Sequence, residues 1–136
     1  MLGLIGGITG IVSFIISLSF NIYGVFQNRF QALSEYYSMD RDVEFVKARR
    51  KIYNLEENQI SEDASVSMLI SMFHFYGLMV KKHRLPFYIF KSASGLAVVK
   101  MYDKLKPTIS MRRKDNKYYA EYFEWLYNKV KKYNKL

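Results

Sequence analysis

The side chains that could catalyse a reaction or bind a metal are few and scattered. The chain has no cysteine and two histidines, His74 and His83, and no H-x-x-x-H or H-E-x-x-H pattern. Two imidazoles alone cannot complete a zinc site, and no thiolate is present to act as ligand or nucleophile. Ser92, Ser94 and Ser110 lack a recognisable histidine and aspartate context for nucleophilic catalysis. The sequence therefore predicts a non-enzymatic protein with no metal and no cofactor.

The acidic side chains are better explained as helix caps than as general acid–base catalysts. They form two groups, one before a predicted helix and one across a predicted loop and helix start: Asp40, Asp42 and Glu44, and Glu56, Glu57, Glu62 and Asp63. Carboxylates at helix starts cap backbone N–H groups and complement the helix dipole. His74, between two phenylalanines, is expected to be a buried structural residue, and His83, in a basic run, is expected to be solvated.

A basic set in the C-terminal half is the candidate binding surface. The chain has 21 Lys and Arg against 12 Asp and Glu, and a formal net charge of +9. The set has Tyr118 and Tyr119 beside it and comprises Lys104, Lys106, Arg112, Arg113, Lys114 and Lys117. Such residues can bind anionic lipid head groups or a phosphate-bearing ligand, or can form an ordinary solvated surface. We expect an anionic lipid or a protein as partner, in preference to nucleic acid, whose binding would depend strongly on salt.

Residues 1–28 contain no charged side chain and predict a membrane span. A helix over Leu2–Phe26 would be about 37 Å long, which exceeds a hydrocarbon core of about 30 Å. The run lacks the basic start and short apolar core of a cleaved signal peptide. Basic residues begin at Arg29 and none precedes the span, so we expect an external N-terminus and a cytoplasmic C-terminal domain at the cell membrane. The lipid bilayer is thus the first predicted partner.

Small residues within this run predict self-association. They recur at spacings of three and four on one stripe of the helix, and two pairs fit the G-x-x-x-G pattern: Gly3, Gly6, Gly7, Gly10, Ser13 and Ser17. Small side chains let two membrane helices approach closely. The alternative is that glycine is simply common in membrane helices. We expect a homo-oligomer formed through the membrane helix.

The remaining sequence predicts an all-α fold, with a small cytoplasmic bundle of about four helices at 41–136. Residues 29–40 would be a stalk or a continuation of the membrane helix. Asp40 and Ser61 are the expected N-caps of helices over about 41–55 and from 61 to about 81. A third helix would start near Leu96 and be kinked or ended by Pro107, and a last one would span about 117–134. Residues 86–90 could form a helical turn or a strand.

The segment 64–80 could be a second membrane span or a buried core helix. It has 17 residues without Asp, Glu, Lys or Arg, at the lower limit for a crossing. A second crossing would place the basic residues 81–84 outside, against the usual charge distribution. We favour a completely buried core helix, with one apolar stripe formed by Val66, Leu69, Ile70, Phe73, Gly77 and Val80.

Four motifs carry a family resemblance: ARRKIY at 48–53, GLMV at 77–80, LKP at 105–107 with Ile109 and Arg112-Arg113, and FEWLY at 123–127. Together they resemble a family of small bacterial and prophage proteins filed as a domain of unknown function, over about residues 40–135. The resemblance implies one N-terminal span followed by a helical cytoplasmic domain. It implies no reaction.

The sequence as a whole predicts a membrane-anchored, non-enzymatic helical interaction module. We expect a regulator or a membrane effector in phage–host conflict. The alternative is a membrane-tethered sensor that binds an anionic nucleotide or lipid through its basic C-terminal half.

Overall fold

The chain folds into α-helices joined by short connections. The computed structural model describes residues 2–136, apart from the side chains of Leu2 and Ile5. Within that range there is no strand, and the elements are α1 (Leu2–Arg41), α2 (Val43–Tyr53), α3 (Ala64–Lys81), a 3₁₀ helix (Phe87–Phe90), α4 (Ala93–Arg112) and α5 (Glu121–Asn134). The all-α prediction is therefore confirmed for the described residues. Residues 86–90 form the predicted helical turn and not the strand.

Helix α1 is one unbroken helix of 40 residues that joins the apolar run to the bundle. Its portion from Gly6 onward is long and apolar enough to cross a membrane, and none of its most apolar window is buried in the protein. Residues 29–40 continue the helix, and two of their side chains, Ala32 and Tyr36, are buried. The helix that carries the candidate span is thus packed directly into the domain.

Helix α3 lies at the centre of the bundle. The residues of its predicted stripe are all buried, and Phe73 stacks on Phe123 of α5 with ring centroids 4.9 Å apart. The Phe73 ring also lies near Phe45 of α2, with the two ring centroids 6.2 Å apart. Complete burial is a wrong prediction, because Met68 and Phe75 are exposed. Helix α3 also meets the length and apolarity criteria for a span, with 39% of its window buried.

Two glycines allow backbones to approach closely. A Cβ at Gly77 of α3 would overlap the carbonyl group of Tyr122 on α5, and a Cβ at Gly95 of α4 would overlap the carbonyl oxygen of Phe90. Only glycine leaves space for a backbone at such a distance. Gly77 therefore sets the separation of α3 and α5 where these two helices cross.

The start of α2 differs from the predicted one. Asp42, not Asp40, is the N-cap, and its carboxylate accepts a hydrogen bond from the Phe45 N–H at 3.1 Å. Asp40 is still within α1, and its carboxylate pairs with Arg49 at 2.9 Å. The predicted cap was wrong because α1 continues past Asp40, so the chain leaves the helix only at residue 42.

The start of α3 is shifted in the same direction. Asp63 is the N-cap and accepts hydrogen bonds from the N–H and hydroxyl of Ser65, at 2.8 and 2.7 Å. The predicted cap, Ser61, instead donates its own backbone N–H to the hydroxyl of Thr108 on α4 at 3.1 Å. Because this contact joins residues 47 positions apart, nothing in the local sequence could indicate it.

Helices α4 and α5 also differ from prediction. Pro107 lies inside α4, which continues to Arg112, so of the two predicted outcomes, a kink or an end at Pro107, the end is wrong. Proline removes one N–H donor, but the side chains of Leu105, Thr108 and Ile109 on both sides are buried and hold the helix in place. Helix α5 begins at Glu121 and not near 117, since Ala120 has left-handed backbone angles (φ 57°) that helix interiors exclude.

Candidate functional site

The predicted basic set lies on the last turns of α4 and the turn that follows. Lys106, Lys114 and Lys117 are exposed, and the Lys117 ammonium lies 4.9 Å from the centre of the Tyr118 ring. No carboxylate of the described residues lies within 4 Å of these three lysines. They are therefore available to an external anion.

Other members of the basic set contact the protein itself. The Lys104 ammonium donates to the carbonyl of Leu55 at 2.6 Å. Arg113 pairs with Glu124 at 2.7 Å and donates through Nε to the carbonyl of Tyr119 at 2.9 Å. The hydrogen bond from Arg113 holds the pKa of the Glu124 carboxyl below its usual value. These two cations hold neighbouring elements together and are not free for a ligand.

Arg112 occupies an intermediate position. The residue is half-buried, and its Nε is buried without a hydrogen-bond partner in the described part of the chain. Its guanidinium therefore differs from those of both the exposed lysines and Arg113. The six predicted residues thus lie close together along the chain, but they are not one set of equivalent ligands.

The basic set lies near the start and the middle of α3, because Thr108, between Lys106 and Arg112, accepts a hydrogen bond from the backbone N–H of Ser61 just before that helix. Asn116 and Tyr118 line a cavity of about 220 Å³ together with Ile70, Ser71 and His74. In contrast, Arg29, the first charged residue after the candidate span, lies next to the C-terminal end of α3. The basic set therefore lies toward the start and middle of α3, whereas the part of α1 that carries Arg29 lies at its C-terminal end.

A second basic surface, the Trp125 cleft, lies at that other end. It is a cavity of about 300 Å³ lined mainly by four cationic or titratable side chains and two aromatic rings: Arg29, Lys81, His83, Lys129, Phe87 and Trp125. These residues come from α1, the end of α3 and the connection after it, the 3₁₀ helix and α5. Sequence reasoning missed the cleft because no single stretch of the chain contains it.

Aromatic rings hold the cations of the Trp125 cleft in place. The Lys129 ammonium lies 4.9 Å from the centre of the Phe87 ring and 5.2 Å from that of Trp125. The Lys81 ammonium lies 5.9 Å from the Trp125 ring on the same cleft. Among the described residues, no carboxylate is within 4 Å of Arg29, Lys81 or Lys129. The cleft thus carries unpaired positive charge around one indole.

An apolar groove runs between α1 and α3. It encloses about 320 Å³ and is lined by methionine and aromatic side chains, among them Met39, Met72, Phe75, Tyr76 and Met79. Methionine side chains adapt readily to different neighbours. The groove adds an apolar surface to the bundle close to the point where α1 joins it.

A polar cluster lies where α1 enters the bundle. The Asp40–Arg49 ion pair borders a cavity of about 260 Å³ that is also lined by Tyr36, Tyr76 and Ser94. The Tyr76 hydroxyl is buried and has no hydrogen-bond partner among the described residues, and burial raises the pKa of this phenol. The hydroxyl of Tyr36 is paired with Ser94.

The predicted self-association stripe is on the uncovered part of α1. A Cβ added at Gly3, Gly6, Gly7 or Gly10 would meet no atom within 4 Å. Ser13 and Ser17 are exposed as well. The stripe is therefore accessible to another helix.

Metal ligands and the two histidines are the last of the candidate groups. They contain no group of three or more His, Cys, Asp and Glu that could hold a metal ion. His74 is half-buried, and its Nδ1 accepts a hydrogen bond from the backbone N–H of Tyr122 at 3.3 Å. Burial lowers the pKa of His74. This histidine caps the start of α5 from the neighbouring helix, which is a structural role.

Comparison with known proteins identifies the family of the chain but assigns no activity to it. A family model described as a domain of unknown function, DUF4760, matches residues 11–130. The match includes most of α1 together with the bundle. No curated protein and no solved structure matches the chain.

Proposed function

This chain belongs to the DUF4760 family, and from that premise we propose that it is a membrane-anchored, non-enzymatic helical interaction module. Helix α1 anchors it in the cell membrane as a single span with an external N-terminus, and the bundle acts in the cytoplasm. The family match extends from within the apolar helix to Val130, which supports a domain in which span and bundle form one unit.

One observation carries this proposal: the side chains of α1 are exposed along its apolar part, and some are buried where the helix meets the bundle. Large apolar side chains are exposed along the first part, including Leu4 (74%), Phe14 (69%) and Phe20 (72%). Contiguous apolar surface of this size is not stable in water and indicates a lipid or protein neighbour. Tyr36, only four turns beyond the last of these, is 6% exposed and packs into the domain.

The charge distribution supports the proposed orientation. Basic residues follow the span closely, beginning with Arg29 and Arg41. Basic residues next to a span remain on the cytoplasmic side. The second apolar helix, α3, is favoured as a core helix because Phe73 and its neighbours pack against α2 and α5.

We further propose that copies of the chain associate through their spans. The accessible stripe of Gly3, Gly6, Gly7, Gly10, Ser13 and Ser17 would allow two α1 helices to approach closely. The resemblance to bacterial and prophage proteins provides the setting, a regulator or a membrane effector in phage–host conflict. Dye leakage from vesicles that contain the full-length chain separates a permeabilising effector from an inert anchor.

Alkaline carbonate extraction of membranes tests the anchor. The wild-type chain should remain in the membrane pellet. Ile15→Arg places a charge near the middle of the span, at a cost of about 3 kcal/mol, and should release a large fraction of the protein. Val43→Arg is the matched control, because Val43 is also an exposed apolar residue but lies on α2. Release of the wild-type chain, or equal behaviour of both variants, would contradict the proposal.

The second candidate function is a membrane-tethered sensor of an anionic nucleotide or lipid. It is favoured by the exposed, unpaired lysines Lys106, Lys114 and Lys117 of the basic set. Thermal-shift measurements on the detergent-solubilised chain with phosphate-containing ligands test it. A stabilisation that Lys114→Gln and Lys117→Gln together abolish would favour the sensor over the interaction module.

A further inference from the structure

The parts of the chain that build the Trp125 cleft carry basic side chains and no acidic ones. Ten of the 21 Lys and Arg residues, and none of the 12 Asp and Glu residues, lie in three segments, 2–34, 64–102 and 125–136. These segments supply every side chain that lines the cleft. The remaining parts of the chain have 11 basic and 12 acidic residues, so they are almost neutral. The net charge of the protein therefore originates in the segments that meet at this cleft.

Arg29 relates the cleft to the depth of the proposed span. It follows Phe26, the last apolar residue of the uncharged run, by three helical positions, or about 4.5 Å along the helix axis. The head-group layer extends about 5–7 Å beyond the hydrocarbon core on each side. A bilayer crossed by residues 2–26 would thus have its phosphates at the level of Arg29 and of the cleft that this residue lines.

The aromatic residues of the cleft also suit the membrane interface. Phe87 and Trp125 flank the Lys129 ammonium, and the Lys91 ammonium lies 4.8 Å from the centre of the neighbouring Tyr133 ring. Trp and Tyr concentrate at the interface because one side of the ring is apolar and the other can meet water. Basic groups between such rings can reach phosphate oxygens while the rings contact glycerol and the first acyl carbons.

We propose that the Trp125 cleft binds the phosphate of an anionic phospholipid head group in the membrane that α1 crosses. Arg29, Lys81 and Lys129 contact the phosphate oxygens, and Trp125 packs beside the glycerol. The inference rests on the proposed function, because the span sets the depth of the cleft. The predicted basic set is a poorer candidate for this lipid, since Thr108 within its range contacts Ser61 before the start of α3, whereas the cleft lies at the C-terminal end of that helix.

Trp125 itself provides the measurement, because it is the single tryptophan of the chain. The full-length protein is reconstituted in vesicles of phosphatidylcholine with or without phosphatidylglycerol, and its fluorescence is quenched with acrylamide, which is neutral. We expect phosphatidylglycerol to lower the Stern–Volmer constant about twofold, since each cation near an anionic surface favours binding. The effect should disappear at 1 M salt, where exposed charges are screened.

Charge variants at the cleft and at the basic set distinguish lipid binding by the cleft from a general effect of surface charge. The double variant Lys81→Gln/Lys129→Gln should lose the protection by phosphatidylglycerol. Arg29→Gln should lose much of it as well, and this residue has no ring contact with Trp125, so the emission of the indole is not altered directly. Lys106→Gln/Lys114→Gln removes the same charge from the basic set and should keep the protection. Equal loss in both double variants, or loss in neither, would overturn the inference.

Carbonate extraction of the same vesicles distinguishes a failure of the lipid site from a failure of the membrane anchor. Protein that stays in the pellet but shows no response to phosphatidylglycerol overturns the lipid site and leaves the anchor intact. Protein that is released overturns both, because the cleft then has no fixed depth. Inorganic phosphate added to phosphatidylcholine vesicles should give no protection. Protection equal to that by phosphatidylglycerol would instead identify a soluble phosphate ligand and overturn the lipid assignment.

Discussion

The ring of Tyr36 on α1 packs edge to face against the ring of Tyr76 on α3, with the two centroids 5.0 Å apart. Tyr36 also meets Phe90 in the same geometry at 5.6 Å. These contacts, with the Asp40–Arg49 ion pair, fasten the helix of the candidate span to the domain. A junction of aromatic rings and one ion pair therefore contributes to holding α1 on the bundle, beside the buried Ala32.

Tyr36→Ala should loosen this junction. Truncation of a buried aromatic side chain costs about 3 kcal/mol, and here the loss falls on the contact between α1 and the bundle. We expect faster amide hydrogen exchange over residues 29–41 of the detergent-solubilised protein. Tyr37→Ala is the control, because Tyr37 is 47% exposed and should change exchange little. Unchanged exchange in Tyr36→Ala would show that other contacts hold the helix.

Tyr76→Phe should leave the protein equally stable or stabilise it by about 1 kcal/mol. The buried Tyr76 hydroxyl has no partner among the described residues, and an unsatisfied buried hydroxyl is unfavourable. Tyr36→Phe removes a hydroxyl that is paired with Ser94 and should destabilise by a similar amount. Chemical denaturation of both variants measures the difference. A clear loss of stability in Tyr76→Phe would mean that this hydroxyl is bonded.

Gly77→Ala should destabilise the bundle although alanine is the better helix former. The added methyl group would overlap the carbonyl group of Tyr122, so α3 and α5 must separate. Overpacking of this kind costs about 1–3 kcal/mol, which outweighs a gain of about 1 kcal/mol in helix propensity. Gly24→Ala, where the methyl group meets no atom within 4 Å, should leave the thermal unfolding of the bundle unchanged. A more stable Gly77→Ala would contradict the close crossing.

The stability of the protein should fall as the pH is lowered below about 6.5. Burial lowers the pKa of His74 in the folded state from 6.5, so below that pH the unfolded chain binds more protons. Protonation also removes the acceptor of the Tyr122 N–H. His74→Asn supplies an acceptor that does not titrate and should flatten the dependence between pH 7 and 5. Equal slopes in His74→Asn and in the wild-type protein would exclude this role for His74.

The helix content and the core could be predicted because both depend on local periodicity. The spacing of Val66, Leu69 and Phe73 specifies one buried face of α3 whatever the partners are, and the structure buries all three. The ends of the helices depend on distant contacts. The backbone N–H of Ser61 is hydrogen-bonded to Thr108 on α4, so Ser61 does not cap α3. The burial of Leu105 and Ile109 stabilises α4 on both sides of Pro107, so the helix continues.

The candidate sites, too, could be predicted only where they depend on residues that are adjacent in the sequence. Adjacent basic residues such as Arg112, Arg113 and Lys114 are visible in the sequence, but their pairing with distant groups is not. Arg113 is engaged by Glu124, which lies 11 positions later. The Trp125 cleft brings together Arg29 and Lys129, 100 positions apart, and only the packing of α1 and α5 around α3 makes them neighbours.

The unbroken α1 also has a geometrical consequence. Neither proline of the chain lies in residues 2–41, and the helix has no interruption there, so turning the span about its long axis turns the attached bundle by the same angle. Each residue added between Phe26 and Ala32 would rotate the bundle by about 100° and move it outward by about 1.5 Å. The azimuth of the bundle relative to the glycine stripe is thus fixed by the number of residues between them.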